Sequence, residues 1–224
     1  MIFRIQLWRG IFQPNFKFYQ LRQAEKVNGL LWRLMILSIV SGLLSGLSVY
    51  AGLDTEMFTR LVEKKSMEAI EAMKLLFGVG SVLNGIISPI IIMYLSSLLI
   101  WTVLEDMKFY KIAAIQLYVV FIGVLEKTLE MVFRLMTGAN SFSSPFGFGI
   151  LAQLITDQPL LIHFMNEITI FGILGVIIQI IALKICSSFS LGKISILVIG
   201  IYLIFNLISS LLSLMDIEQI FKVI

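Results

Sequence analysis

The chain carries one cysteine, Cys186, and one histidine, His163, among its 224 residues. A lone cysteine excludes an internal disulfide and any cysteine-rich metal site. A lone histidine excludes the paired-histidine helix of the zinc proteases. There are only four prolines, Pro14, Pro89, Pro145 and Pro159, so long stretches are free to run as helix. Charge is the most telling shortage: 14% of the residues are charged and 58% hydrophobic, against about 25% and about 45–50% in soluble domains. With a mean hydropathy of +0.98, the chain reads as an integral membrane protein. The net charge of +3 is small, and no basic run or stacking platform invites nucleic acid; it fits topology and headgroup contact instead. No Ser/His/Asp set, phosphate-binding loop or dinucleotide fingerprint is present, so neither a cofactor nor a metal is expected.

What is present is a series of apolar runs. A helix needs about 20 apolar residues to cross the hydrocarbon core. Leu34 to Leu53 is a clean first span, and Leu75 to Leu104 is uncharged but long for one upright helix. Its early part holds Gly78, Gly80, Asn84, Gly85 and Pro89, which predicts a tilt, a kink or an interfacial lead-in. Ile112 to Leu125 becomes a full span if it continues through Glu126 and Lys127 to Phe133. Ile168 to Leu183 and Ile194 to Met215 complete five spans. The expected fold is therefore all-α: a polytopic five-helix membrane bundle over residues 34–224, preceded by an arm, 1–33, and interrupted by an outer loop at about 135–167.

Cations set the direction. Arg4, Arg9, Lys17, Arg22, Lys26 and Arg33 precede the first span, Lys108 and Lys111 follow the second, and Lys184 and Lys193 follow the fourth. The other side collects Asp54, Glu56, Glu63, Glu68, Glu71, Asp157, Asp216 and Glu218. The positive-inside rule then puts the N-terminus in the cytoplasm and the C-terminus outside. The arm lacks the uninterrupted apolar core and small-residue site of a cleavable signal. Ile2, Ile5, Trp8 and Phe12 recur at near-helical spacing, and Phe16 and Tyr19 share one side of a second segment after Pro14. An interfacial amphipathic arm under the cytoplasmic face is expected, with Trp8 and Phe12 as candidates for contact with a partner.

Three features invite a functional reading. The first span holds Ser41, Gly42, Ser45 and Gly46 in a small-residue seam that lets two helix backbones approach. It serves either another span of the same chain or a homo-oligomer. Asn84, beside Pro89 in the second span, is expected to find a partner on another helix, because an unpaired amide in hydrocarbon is costly. The outer loop, with Phe142, Phe146, Phe148, Gly147, Gly149, Pro145 and Pro159, is too apolar for a free loop and too interrupted for a span. A surface-lying or re-entrant element fits, serving as a cap over the bundle or as a contact for an outer partner. His163 closes this element and reads as an interfacial hydrogen-bonding residue.

The most concentrated charge is Glu126, Lys127, Glu130 and Arg134. On a helix Glu130 can reach Arg134 one turn on and Lys127 one turn back. Counting from Ile112 at about 1.5 Å per residue, Glu126 is about 21 Å and Arg134 about 33 Å along. The group is either the paired-charge end of a protruding helix or a polar centre inside the bundle, where intramembrane charge tends to mark a pathway or a latch. Glu130 to Arg134 resembles the first motif of the intramembrane CAAX-protease and bacteriocin-immunity family. That family also needs several helix-borne histidines, which this chain lacks. An enzyme is not expected.

Taken in order, "IFQPNFKFYQL", the small-residue first span, "ISPIIIMYLSSLLIW", the aromatic outer loop and "FMNEITIFGILGVIIQIIAL" resemble the Yip domain family of small five-span membrane proteins with cytosolic N-termini. The short arm departs from the long soluble region of eukaryotic members, so binding of Rab GTPases is not implied. The resemblance to bacterial, YknW-like members implies a cell-membrane accessory subunit of a MacB-type ABC exporter concerned with resistance to secreted toxins or antimicrobial peptides. Its partners would be the lipid bilayer and the exporter subunits. The alternative from the residues themselves is a small transporter or lipid-moving bundle that uses the Glu126–Arg134 cluster.

Overall fold

A computed structural model describes residues 1–53, 67–138 and 144–214. Phe142 and the outer acids Asp54, Glu56, Glu63, Asp216 and Glu218 lie outside these. Among the described residues the fold is a helical bundle, as the composition predicts. Four helices are long and apolar enough to cross a membrane. They are α3 (Leu30–Tyr50), α4 (Met67–Val103, its apolar part beginning at Leu75), α5 (Phe109–Thr137) and α9 (Leu191–Leu214). The fourth expected span is α8, Ile170–Cys186, with 17 residues, or about 26 Å at 1.5 Å per residue. Thr169 caps it by accepting a bond from Gly172 N at 2.9 Å.

Helix α4 runs unbroken through Pro89. The ring leaves the Gly85 carbonyl without its usual donor, and the helix continues through it packed along its neighbour α3. That α3–α4 pairing is the most extensive in the bundle. A Cβ on Gly42 would meet Ile86 Cγ1 at 2.5 Å and the Val82 carbonyl at 3.1 Å, and one on Gly46 would meet Val82 Cγ2 at 2.7 Å. From the other side, a Cβ on Gly85 would stand 2.8 Å from both Gly42 Cα and the Ser41 carbonyl. The small-residue seam is thus an intrachain contact, with backbones brought together where side chains are missing.

The arm departs from the expected pair of amphipathic helices. Ile2–Arg4 is a short strand, β1, paired in parallel with β2, Lys26–Asn28. The two connecting helices, α1 (Leu7–Phe12) and α2 (Pro14–Gln23), fold back between them. Ile5, Phe18 and Leu21 are fully buried while Phe16 and Tyr19 face outward. The buried face closes on α5 and α8: Phe18 meets Tyr118 edge-on at 5.3 Å, and the Cys186 thiol donates to the Phe18 carbonyl at 3.4 Å. Gly10 packs against the Tyr118 ring so closely that a Cβ there would overlap it. Near-helical spacing of Ile2 and Ile5 concealed the strand, because three residues are too few for a period to be read.

The outer loop contains two helices, α6 (Gly149–Gln153) and α7 (Pro159–Glu167). Ile170 N donates to Phe146 O at 3.0 Å and Phe148 N to Ile168 O at 3.2 Å, which ties the loop to the start of α8. Gly147 and Gly149 pass close to Asn166, where a Cβ would stand 2.5 Å and 2.7 Å from its oxygens. The segment is therefore a folded cap docked on α9, and this cap builds one wall of the cavity described next.

Candidate functional site

The charged group on α5 divides by function. Lys127 points sideways to α3. Its Nζ donates to Ser45 Oγ at 2.5 Å, Ser41 O at 3.2 Å and Ser41 Oγ at 3.3 Å. Ser41 and Ser45 are buried, and the Ser45 hydroxyl bonds Ser41 O at 3.1 Å. The seam therefore has two uses: its glycines admit α4, and its serines receive a lysine from α5. Arg134, 7% exposed, lies in the last turn of α5 and donates to the Leu53 carbonyl just past the end of α3. Gly138, with φ 66°, closes that helix by donating to the Arg134 carbonyl at 2.8 Å.

Glu126 and Glu130 turn instead toward a cavity of about 630 Å³. Its walls are α5 (Gly123, Glu126, Lys127 and Glu130), the cap (Ser144, His163, Asn166 and Glu167), Thr169 and Gly172 at the head of α8, and α9 (Tyr202, Asn206 and Ser213). The cap's last residue is the hub of the far wall. Tyr202 Oη and Asn206 Nδ2 donate to the Glu167 carbonyl at 3.3 and 3.4 Å, and Ser209 Oγ donates to its carboxylate at 3.0 Å. Burial pushes the Glu167 carboxyl above the ordinary glutamate range; the Ser209 bond and the nearby His163 oppose that shift. Gly172 admits the Tyr202 hydroxyl to this wall, since a Cβ at 172 would overlap it.

The wall on α9 has a sequence signal of its own. Tyr202, Asn206, Ser209, Ser210 and Ser213 fall at helical spacing on one face of an otherwise apolar span, and Glu167 stands just before another. His163, expected to be an interfacial hydrogen-bonding residue, lines the cavity. Asn84 departs from expectation. It is exposed and accepts from Ser88 Oγ at 3.0 Å within its own helix, so the second-span amide neither locks two helices nor reaches the cavity. A side chain one turn on satisfied it locally, before any neighbour was needed.

Of the aromatic candidates, Trp8 and Phe12 stack at 6.4 Å and remain 57% and 76% exposed, with Trp8 standing edge-on to Phe121 at 5.1 Å. Phe146 and Phe148 are half-buried, and Phe146 packs edge-on to Phe171 at 5.3 Å. The arm thus offers an open aromatic surface, while the cap spends part of its own on α8. Among the described residues no cluster of His, Cys, Asp and Glu has the arrangement of a metal site. No protein-family model, curated protein or solved structure matches the chain.

Proposed function

We propose that the chain is a non-enzymatic, five-span membrane protein that serves as an accessory or assembly subunit. The partner implied by its resemblance to bacterial Yip-domain proteins is an ABC-type exporter concerned with toxin or antimicrobial-peptide resistance. The observation that carries this reading is the use of the two α5 cations. Lys127 fastens the middle of the helix to the α3 serines and Arg134 fastens its end to Leu53. Charges committed to closing a helix interface favour a fixed bundle. The exposed Trp8–Phe12 stack on the arm supplies the contact for the exporter, since aromatic residues concentrated on an open face are typical anchors of interfaces.

Five crossings are supported by where the ends of α8 fall. Its last residue, Cys186, bonds to the arm, and its first turn lines the cavity beside the cap, which supports a crossing by this shorter helix as well. On the arm's face Asp106 holds Ser188 through its backbone N at 2.6 Å and its Oγ at 2.7 Å, and Tyr110 and Lys111 bond the carbonyls of Glu25 and Arg22. These contacts support one common face for Lys108, Lys111, Lys184, Lys193 and the arm's cations, which the positive-inside rule would assign to the cytoplasm of a bacterial cell. Co-purification from the native host in mild detergent, with mass spectrometry of retained proteins, tests the proposal. Stoichiometric exporter subunits, lost on Trp8→Ala with Phe12→Ala, are the expected result; a protein that purifies alone overturns it.

A second reading, a small transporter, is favoured by one specific observation: Glu126 and Glu130 from α5 and Glu167 from the cap line one cavity. Flux in liposomes that is abolished by Glu130→Gln in an intact bundle would replace the accessory reading with this one.

A further inference from the structure

We propose that α4 carries a pairing face for a second copy of this chain, closed by reciprocal hydrogen bonds between the two Asn84 side chains. Asn84 lies inside the apolar part of α4, Leu75–Val103, and is exposed rather than packed on a neighbour. The next residue, Gly85, stands against Gly42 of α3. Gly42 is about 14 Å along α3 from Arg33 and about 12 Å from the helix end at Tyr50. The amide is therefore held near mid-depth, beyond the reach of headgroups. Ser88 engages only part of it. The Ser88 hydroxyl stands 2.7 Å from the Asn84 carbonyl and 3.0 Å from its Oδ1, and one proton serves both acceptors. Neither N–H of the Asn84 amide meets an acceptor among the described residues. Amide donors left unanswered in hydrocarbon are costly, and membrane helices answer such groups across an interface.

A second copy supplies the matching group at the matching depth. Both copies insert in the same orientation, so a two-fold axis along the membrane normal sets α4 parallel to α4 and each residue beside its counterpart. A carboxamide complements itself, because it holds two donors and an acceptor; Nδ2 of each Asn84 donates to Oδ1 of the other. An unrelated protein would need a polar group at this same depth, whereas a copy has one by construction. The rest of the face agrees. Asn84, Ile87, Ile91, Tyr94 and Leu98 are all exposed, and they recur at alternating steps of three and four residues, the seam of a two-stranded coiled coil. Apolar residues at that period occur on any lipid-facing side of such a helix, and Asn84 singles out this one. One asparagine on a coiled-coil seam fixes register and strand number in the same way. Gly85, Met93 and Ile100 are buried on the other side of α4, so pairing leaves the α3 contact intact. It needs no exporter, and the inference holds or fails independently of the accessory reading.

Cross-linking in native membranes and association in liposomes, both with the full chain, provide the test. In a Cys186→Ser background, Ile87→Cys and Ile91→Cys should form disulfide-linked dimers on copper–phenanthroline oxidation. Their yield should be roughly fivefold that of Ile92→Cys, which is exposed but about 100° round the helix from Ile91. Energy transfer between donor- and acceptor-labelled copies diluted in lipid should report a dimer. Asn84→Leu should weaken it about tenfold, and Asn84→Gln, which keeps the amide, less than about threefold. If Asn84→Leu fails to fold, the cross-linking pattern alone decides. Monomers at every protein-to-lipid ratio, dimers indifferent to Asn84→Leu, or cross-linking at Ile92 as strong as at Ile91 overturn the proposal. So does capture of Ile91→Cys by a different protein alone, which would assign the face to that protein.

Discussion

Replacing Lys127 by methionine keeps the length and apolar stem of the side chain and removes only its ammonium. The wild-type group bonds two hydroxyls and one carbonyl of α3, at 2.5, 3.3 and 3.2 Å. Interhelical hydrogen bonds within membranes average about 0.6 kcal/mol and reach about 1.7, so losing this set should cost about 1–2 kcal/mol. The cost is held down because Ser45 Oγ keeps its bond to Ser41 O at 3.1 Å and is not orphaned. For a chain of this size about 1 kcal/mol corresponds to about 2–4 °C in Tm, so Lys127→Met should melt about 2–8 °C lower in mild detergent. A double-mutant cycle with Ser45→Ala isolates the contact, and its coupling should be about 0.6–1.7 kcal/mol. An unchanged Tm, or additivity of the two substitutions within about 0.3 kcal/mol, would refute the latch and with it the main support for an accessory role.

Gly85→Ala should destabilise the bundle by about 1–3 kcal/mol through overpacking against α3. Gly80→Ala, where an added Cβ meets nothing within 4 Å, should stabilise the helix by about 0.5–1 kcal/mol; thermal melts of the pair check both signs. Gly10→Val should drive the arm off Tyr118, detected as faster tryptic cleavage at Arg9 and Arg22 than in wild type. Because burial raises the Glu167 carboxyl in the folded state, the fold binds the extra proton. The stability contributed by neutral Glu167 is complete below the unfolded glutamate value and is lost as pH rises from there through the raised folded value. Glu167→Gln should flatten that slope in Tm measured between about pH 4 and 8, and an undiminished slope would place the titration elsewhere.

The membrane class follows from composition, and most helix ends fall within a few residues of the apolar runs. Both are local properties: the hydrocarbon thickness sets a length, and Gly29 and Thr169 at the starts of α3 and α8 and Gly138 at the stop of α5 set helix ends. The seam at Ser41, Gly42, Ser45 and Gly46 was visible as small residues at a helical period, and Glu126 to Arg134 as charge. What each would touch was not visible. In water a helix shows its buried face as an apolar stripe, whereas helices apolar all round carry no such stripe. Their rotation must then be fixed by packing and by a few polar contacts. Glu130 lies one turn from Lys127, whereas the hydroxyls that Lys127 bonds belong to serines more than eighty residues earlier in the chain. Glu167, Tyr202 and Asn206 join Glu126 only because the cap folds back onto α9 and closes the cavity. Residue type and period determined that this is a helical membrane bundle with charge in its third span. The tertiary structure alone decided that Lys127 and Arg134 bond to α3 and the residues just past it while Glu126 and Glu130 line a cavity with Lys127, because helix rotation is a sum over contacts between segments far apart in the chain.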